Sequence, residues 1–247
     1  FIGLGVMGFP MARYVSMKYP TLVFNRSVAK AENWIKTYQG QIGNSPAELG
    51  NFCEEIYMCI GNDDDVREVI SGENGILSSI SPGGIIIDHT TTSSILSSEM
   101  SEICLKKGVH YIDAPVSGGQ AGAENGSLTI MAGGDKDAFE KANITMNCYA
   151  NFTKLMGSSG AGQLTKMVNQ ICIAGLVQGL AEGINFSEKA GLVTEEVIEV
   201  ISQGAAQSWQ MDNRWETMSQ DYYDHGFAVD LMRKDLNIAI QEAKKQG

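Results

Sequence analysis

Phe1-Ile2-Gly3-Leu4-Gly5-Val6-Met7-Gly8 opens the chain, and its G-x-G-x-x-G spacing is that of the phosphate-binding turn of a dinucleotide fold. Gly3 permits the tight turn after a strand, and Gly5 lets the backbone approach a pyrophosphate. Gly8 lets the following helix pack closely on the sheet, with its first N–H groups aimed at the phosphates. Leu4, Val6 and Met7 complete the expected cofactor turn. In a chain with 28 glycines the spacing also arises by chance, so the surrounding sequence has to decide. Only Phe1-Ile2 stand before the turn, where a whole strand is expected, so a few residues of a first strand are expected to be missing.

Downstream, helical and strand patterns alternate. Residues 10–19 read as a helix, 21–24 as a second strand and 28–38 as a helix. Glu55-Ile56-Tyr57-Met58-Cys59-Ile60 reads as a buried strand, and 64–70 begins another helix. Gly84-Ile85-Ile86-Ile87-Asp88 is a β-branched strand, 94–107 is helical, and Val109-His110-Tyr111-Ile112-Asp113 and 127–132 are further strands. Apolar runs without polar alternation belong to a parallel sheet covered on both faces. The pattern therefore predicts a doubly wound α/β domain of the Rossmann type.

Near Gly157 the character changes. From 160 to about 190 there is no proline, and Leu164, Met167, Val168, Ile171, Ala174, Val177, Leu180, Ala181 and Ile184 recur at helical spacing. This predicts one long helix, apolar around much of its girth and buried on several sides. Shorter helices are expected around 194–201 and 231–245. The expected organisation is a dinucleotide-binding domain at 1–157 and an all-α domain at 158–247. The chain ends inside a helical pattern, so a further C-terminal segment is expected.

A hydrophobic content of 43% and a charged content of 19% are globular values. The net charge of -11 argues against a nucleic-acid partner, which would need a basic face. The five cysteines show no metal or C-x-x-C spacing. Cys53, Cys59 and Cys172 lie in apolar runs and read as small buried hydrophobes, and a reducing cytoplasm is the expected compartment. No uninterrupted apolar run approaches 18 residues, so no membrane span is expected.

Asn25-Arg26-Ser27 follows the second strand, where an NAD-binding fold usually carries a carboxylate for the ribose hydroxyls. A neutral Asn, an Arg able to pair with a 2′-phosphate and a Ser donor favour NADP(H), with NAD(H) as the alternative, although Arg26 also reads as a solvated arginine after a strand. Asp113-Ala114-Pro115-Val116-Ser117-Gly118-Gly119 leaves a strand directly. Ser117, Gly118 and Gly119 offer a hydroxyl and consecutive backbone N–H groups, a nest for a small carboxylate, although a plain loop would use the same residues. Lys166, Asn169 and Gln170 share one face of the long helix at i, i+3 and i+4. A lysine there is costly unless it has a task, and desolvation would lower its pKa toward that of a general acid or base; otherwise it snorkels. Lys234-Asp235, in the stretch that begins at Gly226-Phe227, reads as a surface ion pair. Trp209 reads as core. Asp63-Asp64-Asp65 reads as a helix start. His89, His110 and His225 are scattered, with no metal set.

Taken together, the segments resemble the β-hydroxyacid dehydrogenase family, which includes 3-hydroxyisobutyrate dehydrogenase, tartronate semialdehyde reductase and the glyoxylate/succinic semialdehyde reductases, with 6-phosphogluconate dehydrogenase as a distant relative. The match covers nearly the whole chain. It rests on four motifs in order: Gly3 to Gly8 with Met11-Ala12, Asp113 to Gly126, Gly160 to Gln170, and Lys234-Asp235-Leu236. The resemblance implies that Ser117, Gly118 and Gly119 hold the substrate carboxylate and that Lys166 is the catalytic acid/base. It implies that Asn169 and Gln170 bond the substrate, and that Thr91, Ile60-Gly61 and Lys234 line the cofactor. Gln170 stands where many members have a second Asn, and Ile60-Gly61 where many have Leu-Pro. The implied activity is hydride transfer between a nicotinamide and a short β-hydroxyacid or semialdehyde. A homodimer or homotetramer joined through the long helix and the α-domain is implied as well, with the substrate bound at the domain cleft. An imine reductase of the same fold and a catalytically silent dinucleotide-binding regulator are the alternatives; Lys166 argues against both.

Overall fold

The computed structural model describes residues 1–223 and 229–247. β1 (Leu22–Val23) and β2 (Gln41–Ile42) form one parallel pair, and β3 (Glu55–Met58), β4 (Ile85–Asp88) and β5 (His110–Asp113) a second parallel set. Ile2 bridges the two, pairing with Phe24 on one side and Met58 on the other. The glycine turn therefore leaves from the middle of the sheet. β6 (Val116–Ser117), β7 (Leu128–Gly133) and β8 (Ala150–Gly157) complete it, with β7 antiparallel to β5 and β6 and parallel to β8.

The apolar runs are explained by which way successive residues point. Tyr57, Ile85, Ile87 and Ile112 pack in one cluster, while their neighbours Ile56, Met58, Ile86 and Tyr111 pack in another. Side chains alternate across a strand, so two separate clusters mean that both faces are covered. This is the doubly wound Rossmann-type architecture that the sequence pattern predicts.

The covering helices are α1 (Gly8–Ser16), α2 (Val28–Thr37), α3 (Pro46–Phe52), α4 (Asp63–Ser71), α5 (Ser94–Leu105), α6 (Gly119–Glu124) and α7 (Lys136–Met146). Several begin at residues whose side chains satisfy the opening N–H groups: Ser45, Asn62, Ser93 and Asp135 each accept from the first turn. After β8 come α8 (Ala161–Lys189), α9 (Thr194–Ile201), α10 (Trp209–Ser219) and α11 (Val229–Gln246).

The chain divides into two compact units, Phe1–Lys166 with Ile240–Gly247, and Met167–Ala239. α8 runs through the division. The second unit has its own small core of Leu180, Ile184, Ile198 and Met211, with Trp215 and Met218 against it.

Several expectations need correction. α8 is less buried than the expected burial on several sides: Val168, Ile171, Leu176 and Phe186 are exposed. Trp209 is 52% exposed and carries the guanidinium of Arg214 over its ring, 5.3 Å from the centroid. Cys172 is exposed, whereas Cys104 is buried and Cys53 and Cys59 are half-buried. β2, β6 and β8 are strands where none was expected. The first two are only two residues long, and β8 interleaves polar residues in Ala150-Asn151-Phe152-Thr153-Lys154. His225 and Gly226-Phe227 lie outside the described residues.

Candidate active site

The three glycines of the opening turn do different physical work. At Gly3 (φ +89°) a Cβ would stand 2.1 Å from the Cys59 carbonyl oxygen, and at Gly8 one would stand 1.9 Å from the Gly3 carbonyl oxygen. Both positions are closed by the protein's own backbone. At Gly5 a Cβ would meet nothing within 4 Å. That open side is the one the fold leaves for something else, and a pyrophosphate is the group this turn suits. α1 starts beside it with no acidic residue in its first turn and no side-chain cap at Met7, so its positive end carries no carboxylate of its own. The residues present fit a dinucleotide.

Around the turn, Leu4 N donates to Asn25 Oδ1 at 2.9 Å, and Asn25 Nδ2 donates to the Ser27 carbonyl at 3.0 Å. Asn25 thus braces the glycine turn against the loop after β1. Arg26 extends into solvent and pairs with Asp65, Nη1 to Oδ1 3.2 Å. Ile60 N donates to Thr90 Oγ1 at 3.0 Å, tying the Ile60-Gly61 loop after β3 to the loop after β4 that carries Thr91. Gly3–Gly8, Asn25–Ser27, Ile60-Gly61 and Thr91 all belong to the first unit and follow the C-terminal ends of adjacent parallel positions, where open α/β sheets bind their ligands.

The second centre is the start of α8. Asp113, at the end of β5, is fully buried and accepts from Gly160 N at 2.7 Å and Gln163 N at 3.0 Å. A carboxylate here satisfies the opening donors of α8 and sits at the positive end of its dipole. Gly162 is required for this approach, because a Cβ there would stand 2.5 Å from the Met131 carbonyl oxygen. One turn on, Lys166 is only 6% exposed, and its Nζ donates to the Val116 carbonyl at 2.8 Å. Val116 precedes Ser117-Gly118-Gly119, where Gly118 (φ +130°) and Gly119 (φ +60°) take backbone conformations that suit glycine. Gly118 and Gly119 are exposed and Ser117 is half-buried. Lys166 and the Ser-Gly-Gly turn are therefore brought together within one unit.

In the second unit, Gln170 is buried and its amide is engaged at both ends. Asn169 Nδ2 donates to Gln170 Oε1 at 2.8 Å, and Gln170 Nε2 donates to Asp235 Oδ2 at 2.7 Å. Asp235 is 4% exposed and lies 3.5 Å from Lys234 Nζ. The expected surface ion pair is in fact half buried, with the carboxylate orienting Gln170.

Electrostatically, the C-terminal ends of β4 and β5 hold two buried carboxyls. Burial pushes Asp113 up to about 7, against the Gly160 and Gln163 N–H groups that pull it down. Burial likewise pushes Asp88 up to about 6, opposed by hydrogen bonds from Thr90 and Tyr111. His89 is driven down to about 4 by burial; its Nδ1 lies 2.6 Å from the Ala114 carbonyl and its Nε2 2.8 Å from the Tyr149 hydroxyl. A neutral imidazole donating to Ala114 and accepting from Tyr149 satisfies both contacts.

Sequence reading assigned no role to Gln163. Its buried amide accepts from Thr92 N at 3.1 Å and donates to the Thr90 carbonyl at 2.7 Å, so it clamps the Thr91 loop to the helix that carries Lys166. The signal available was the strand-end Asp113: a carboxylate closing an apolar strand needs donors, and a Gly-rich helix start supplies them.

A family model described as the NAD binding domain of 6-phosphogluconate dehydrogenase matches residues 1–169, and one described as NAD-binding of NADP-dependent 3-hydroxyisobutyrate dehydrogenase matches residues 160–247. The chain belongs to the β-hydroxyacid dehydrogenase family. Within that family, an uncharacterized oxidoreductase of Shewanella frigidimarina is 52% identical, the match covering 100% of this chain and 85% of the relative. The probable 3-hydroxyisobutyrate dehydrogenase-like 2, mitochondrial, of Arabidopsis thaliana is 39% identical over 98% of this chain and 81% of its own length. The solved structure of Mycobacterium tuberculosis 3-hydroxyisobutyrate dehydrogenase with L-serine has a TM-score of 0.88 at 25% identity, covering 100% of this chain and 86% of that one. The β-hydroxyacid dehydrogenase match also covers α8, whose length and apolar composition alone would suit a membrane span. The chain is an NAD(P)-binding oxidoreductase of the 3-hydroxyisobutyrate dehydrogenase type.

Proposed function

We propose that the chain interconverts a short β-hydroxyacid and its aldehyde acid, with NADP(H) preferred over NAD(H) and Lys166 as the general acid/base. The observation that carries this reading is the buried Lys166, whose Nζ donates to the Val116 carbonyl directly before Ser117-Gly118-Gly119. Gly3–Gly8, Asn25, Arg26, Ser27, Ile60, Gly61, Thr91 and Lys234 would hold the nicotinamide cofactor, which would supply the hydride for the carbonyl carbon. Ser117, Gly118 and Gly119 bind the carboxylate through hydroxyl and backbone N–H groups and so set where the carbonyl lies. Lys166 gives its proton to the carbonyl oxygen as negative charge develops there, and takes it back in the oxidising direction. Asn169 and Gln170, one turn further along α8, bond the substrate, with Asp235 fixing the Gln170 amide.

Two comparisons support the finer parts of the reading. The family model over 160–247 carries the description NAD-binding of NADP-dependent 3-hydroxyisobutyrate dehydrogenase. The Mycobacterium tuberculosis relative is recorded with L-serine, itself a carboxylate with a hydroxyl on its β carbon. We read residues 1–157 as the cofactor domain and 158–247 as the substrate and oligomerisation domain. The exposed Val168, Ile171 and Phe186 of α8 support a homo-oligomer.

The test is Lys166→Ala assayed with glyoxylate and with succinic, tartronate and methylmalonate semialdehydes, using NADPH and NADH. Turnover is expected to fall by about 100-fold or more, the range of general acid/base catalysis, while NADPH binding followed by its fluorescence stays within about twofold of wild type. Turnover retained in the variant rejects the assignment.

A further inference from the structure

Two segments far apart in sequence, Asn25-Arg26-Ser27 after β1 and Ile60-Gly61 after β3, converge on one carboxylate. Asp65, in the first turn of α4, accepts from Arg26 Nη1 at 3.2 Å; the Arg26 side chain is 91% exposed and that of Asp65 32%. On its other side a Cβ at Gly61 would stand 2.1 Å from Asp65 Oδ2. The absence of a side chain at 61 is what lets the carboxylate lie there. Its backbone is held as well, because Asn62 Oδ1 accepts from both Asp64 N and Asp65 N at 3.0 Å.

An acidic side chain is an odd companion for a guanidinium meant to receive a phosphate. A 2′-phosphate and the Asp65 carboxylate compete for Arg26 and repel each other. A dinucleotide with a 2′-hydroxyl leaves the Arg26–Asp65 pair intact. Specificity of this kind is set by a repulsive element as much as by an attractive one.

We infer that Asp65 is a cofactor-discriminating residue, whose carboxylate occupies the Arg26 guanidinium and holds the preference for the 2′-phosphorylated dinucleotide below what Arg26 alone would give. The inference rests on the reading of Arg26 as the 2′-phosphate residue. It gives the Asp65 carboxylate beside Arg26 a role that helix capping alone does not require. Removing the charge leaves the helix start supported, since Asp63 and Asp64 remain in the first turn and Asn62 remains the cap.

The experiment is titration of the full chain with NADPH and with NADH by cofactor fluorescence, for wild type, Asp65→Asn, Asp65→Ser and Arg26→Gln. Both Asp65 variants are expected to tighten NADPH about three- to fivefold, the scale of an exposed charge pair, with NADH changed less than about twofold. The gain should shrink in about 0.5 M salt, where exposed charges are screened. Arg26→Gln should weaken NADPH selectively. If it does so while both Asp65 variants leave the NADPH/NADH ratio of dissociation constants unchanged or lowered, the inference is overturned and the Arg26 reading stands. If Arg26→Gln itself leaves the ratio unchanged, the Arg26 reading fails and takes the inference with it.

Discussion

Replacing Gln163 by leucine tests whether the clamp between α8 and the Thr91 loop carries weight. Gln163 is fully buried, as is Thr92, and Thr90 is 2% exposed. The leucine keeps the bulk of the side chain and deletes both amide contacts, leaving the Thr92 N–H and the Thr90 carbonyl without the partners they have at 3.1 and 2.7 Å. A buried backbone group left unsatisfied costs about 1–3 kcal/mol, so two give a loss of about 3 kcal/mol after modest relaxation. Equilibrium urea unfolding followed by circular dichroism reads this as a midpoint lowered by about 1 M or more at a slope of ~1–3 kcal/mol/M. Gln163→Glu separates the two contacts: it keeps the acceptor for Thr92 N but has no donor for Thr90 and adds a buried charge, so its loss should be at least as large. The same loosening should raise the KM for the nicotinamide cofactor in both variants, because Thr91 sits between the two clamped residues. A Gln163→Leu midpoint within about 0.2 M of wild type, at a slope near 2 kcal/mol/M, together with an unchanged cofactor KM, would refute the reasoning.

Two further predictions come from packing and from titration. Gly5→Ala should fold normally yet bind NADPH at least about tenfold more weakly, because its Cβ enters the open space that a pyrophosphate would occupy; Gly8→Ala should lose several kcal/mol of stability through backbone overlap with Gly3. Thermal melts and cofactor titrations on the pair would contradict this if the two variants behaved alike. His89 has a folded pKa of about 4 against 6.5 in an open chain. As pH falls the unfolded chain takes the proton first, so the stability due to keeping His89 neutral is full above about 6.5 and is lost as pH falls toward 4, by up to about 3 kcal/mol. The stability difference between wild type and His89→Gln should therefore narrow over that range, and a difference flat with pH would show that His89 is not the titrating group.

Much of the architecture was legible in local sequence. The apolar runs at 55–60, 84–88 and 109–113 mark strands covered on both faces, and the proline-free stretch after 160 marks α8, because the periods of strand and helix are properties of consecutive residues. Likewise Gly3, Gly5 and Gly8 announce a phosphate turn once their spacing is read with the strands and helices that alternate after it. β8 was not legible: its exposed and polar residues look like a loop until β7 supplies the ladder. Nor was Asp235 legible as a buried partner of Gln170, since the dipeptide Lys234-Asp235 reads the same on any helix.

What sequence by itself determined, then, was the class of fold and the kind of cofactor, and it named candidate residues for chemistry, all from residue type at fixed local spacing. Only the tertiary structure decided which of those residues meet. Asp113 holds the α8 start, Gln163 ties the Thr91 loop to that helix, and Lys166 reaches Val116 beside the Ser-Gly-Gly turn. Asp65 meets Arg26 because β1 and β3 flank the strand position of Ile2. These contacts join segments dozens of residues apart. Which of many competing donors and acceptors becomes a partner is settled by chain topology and by the cost of burying a polar group unpaired, and neither is written in any local window.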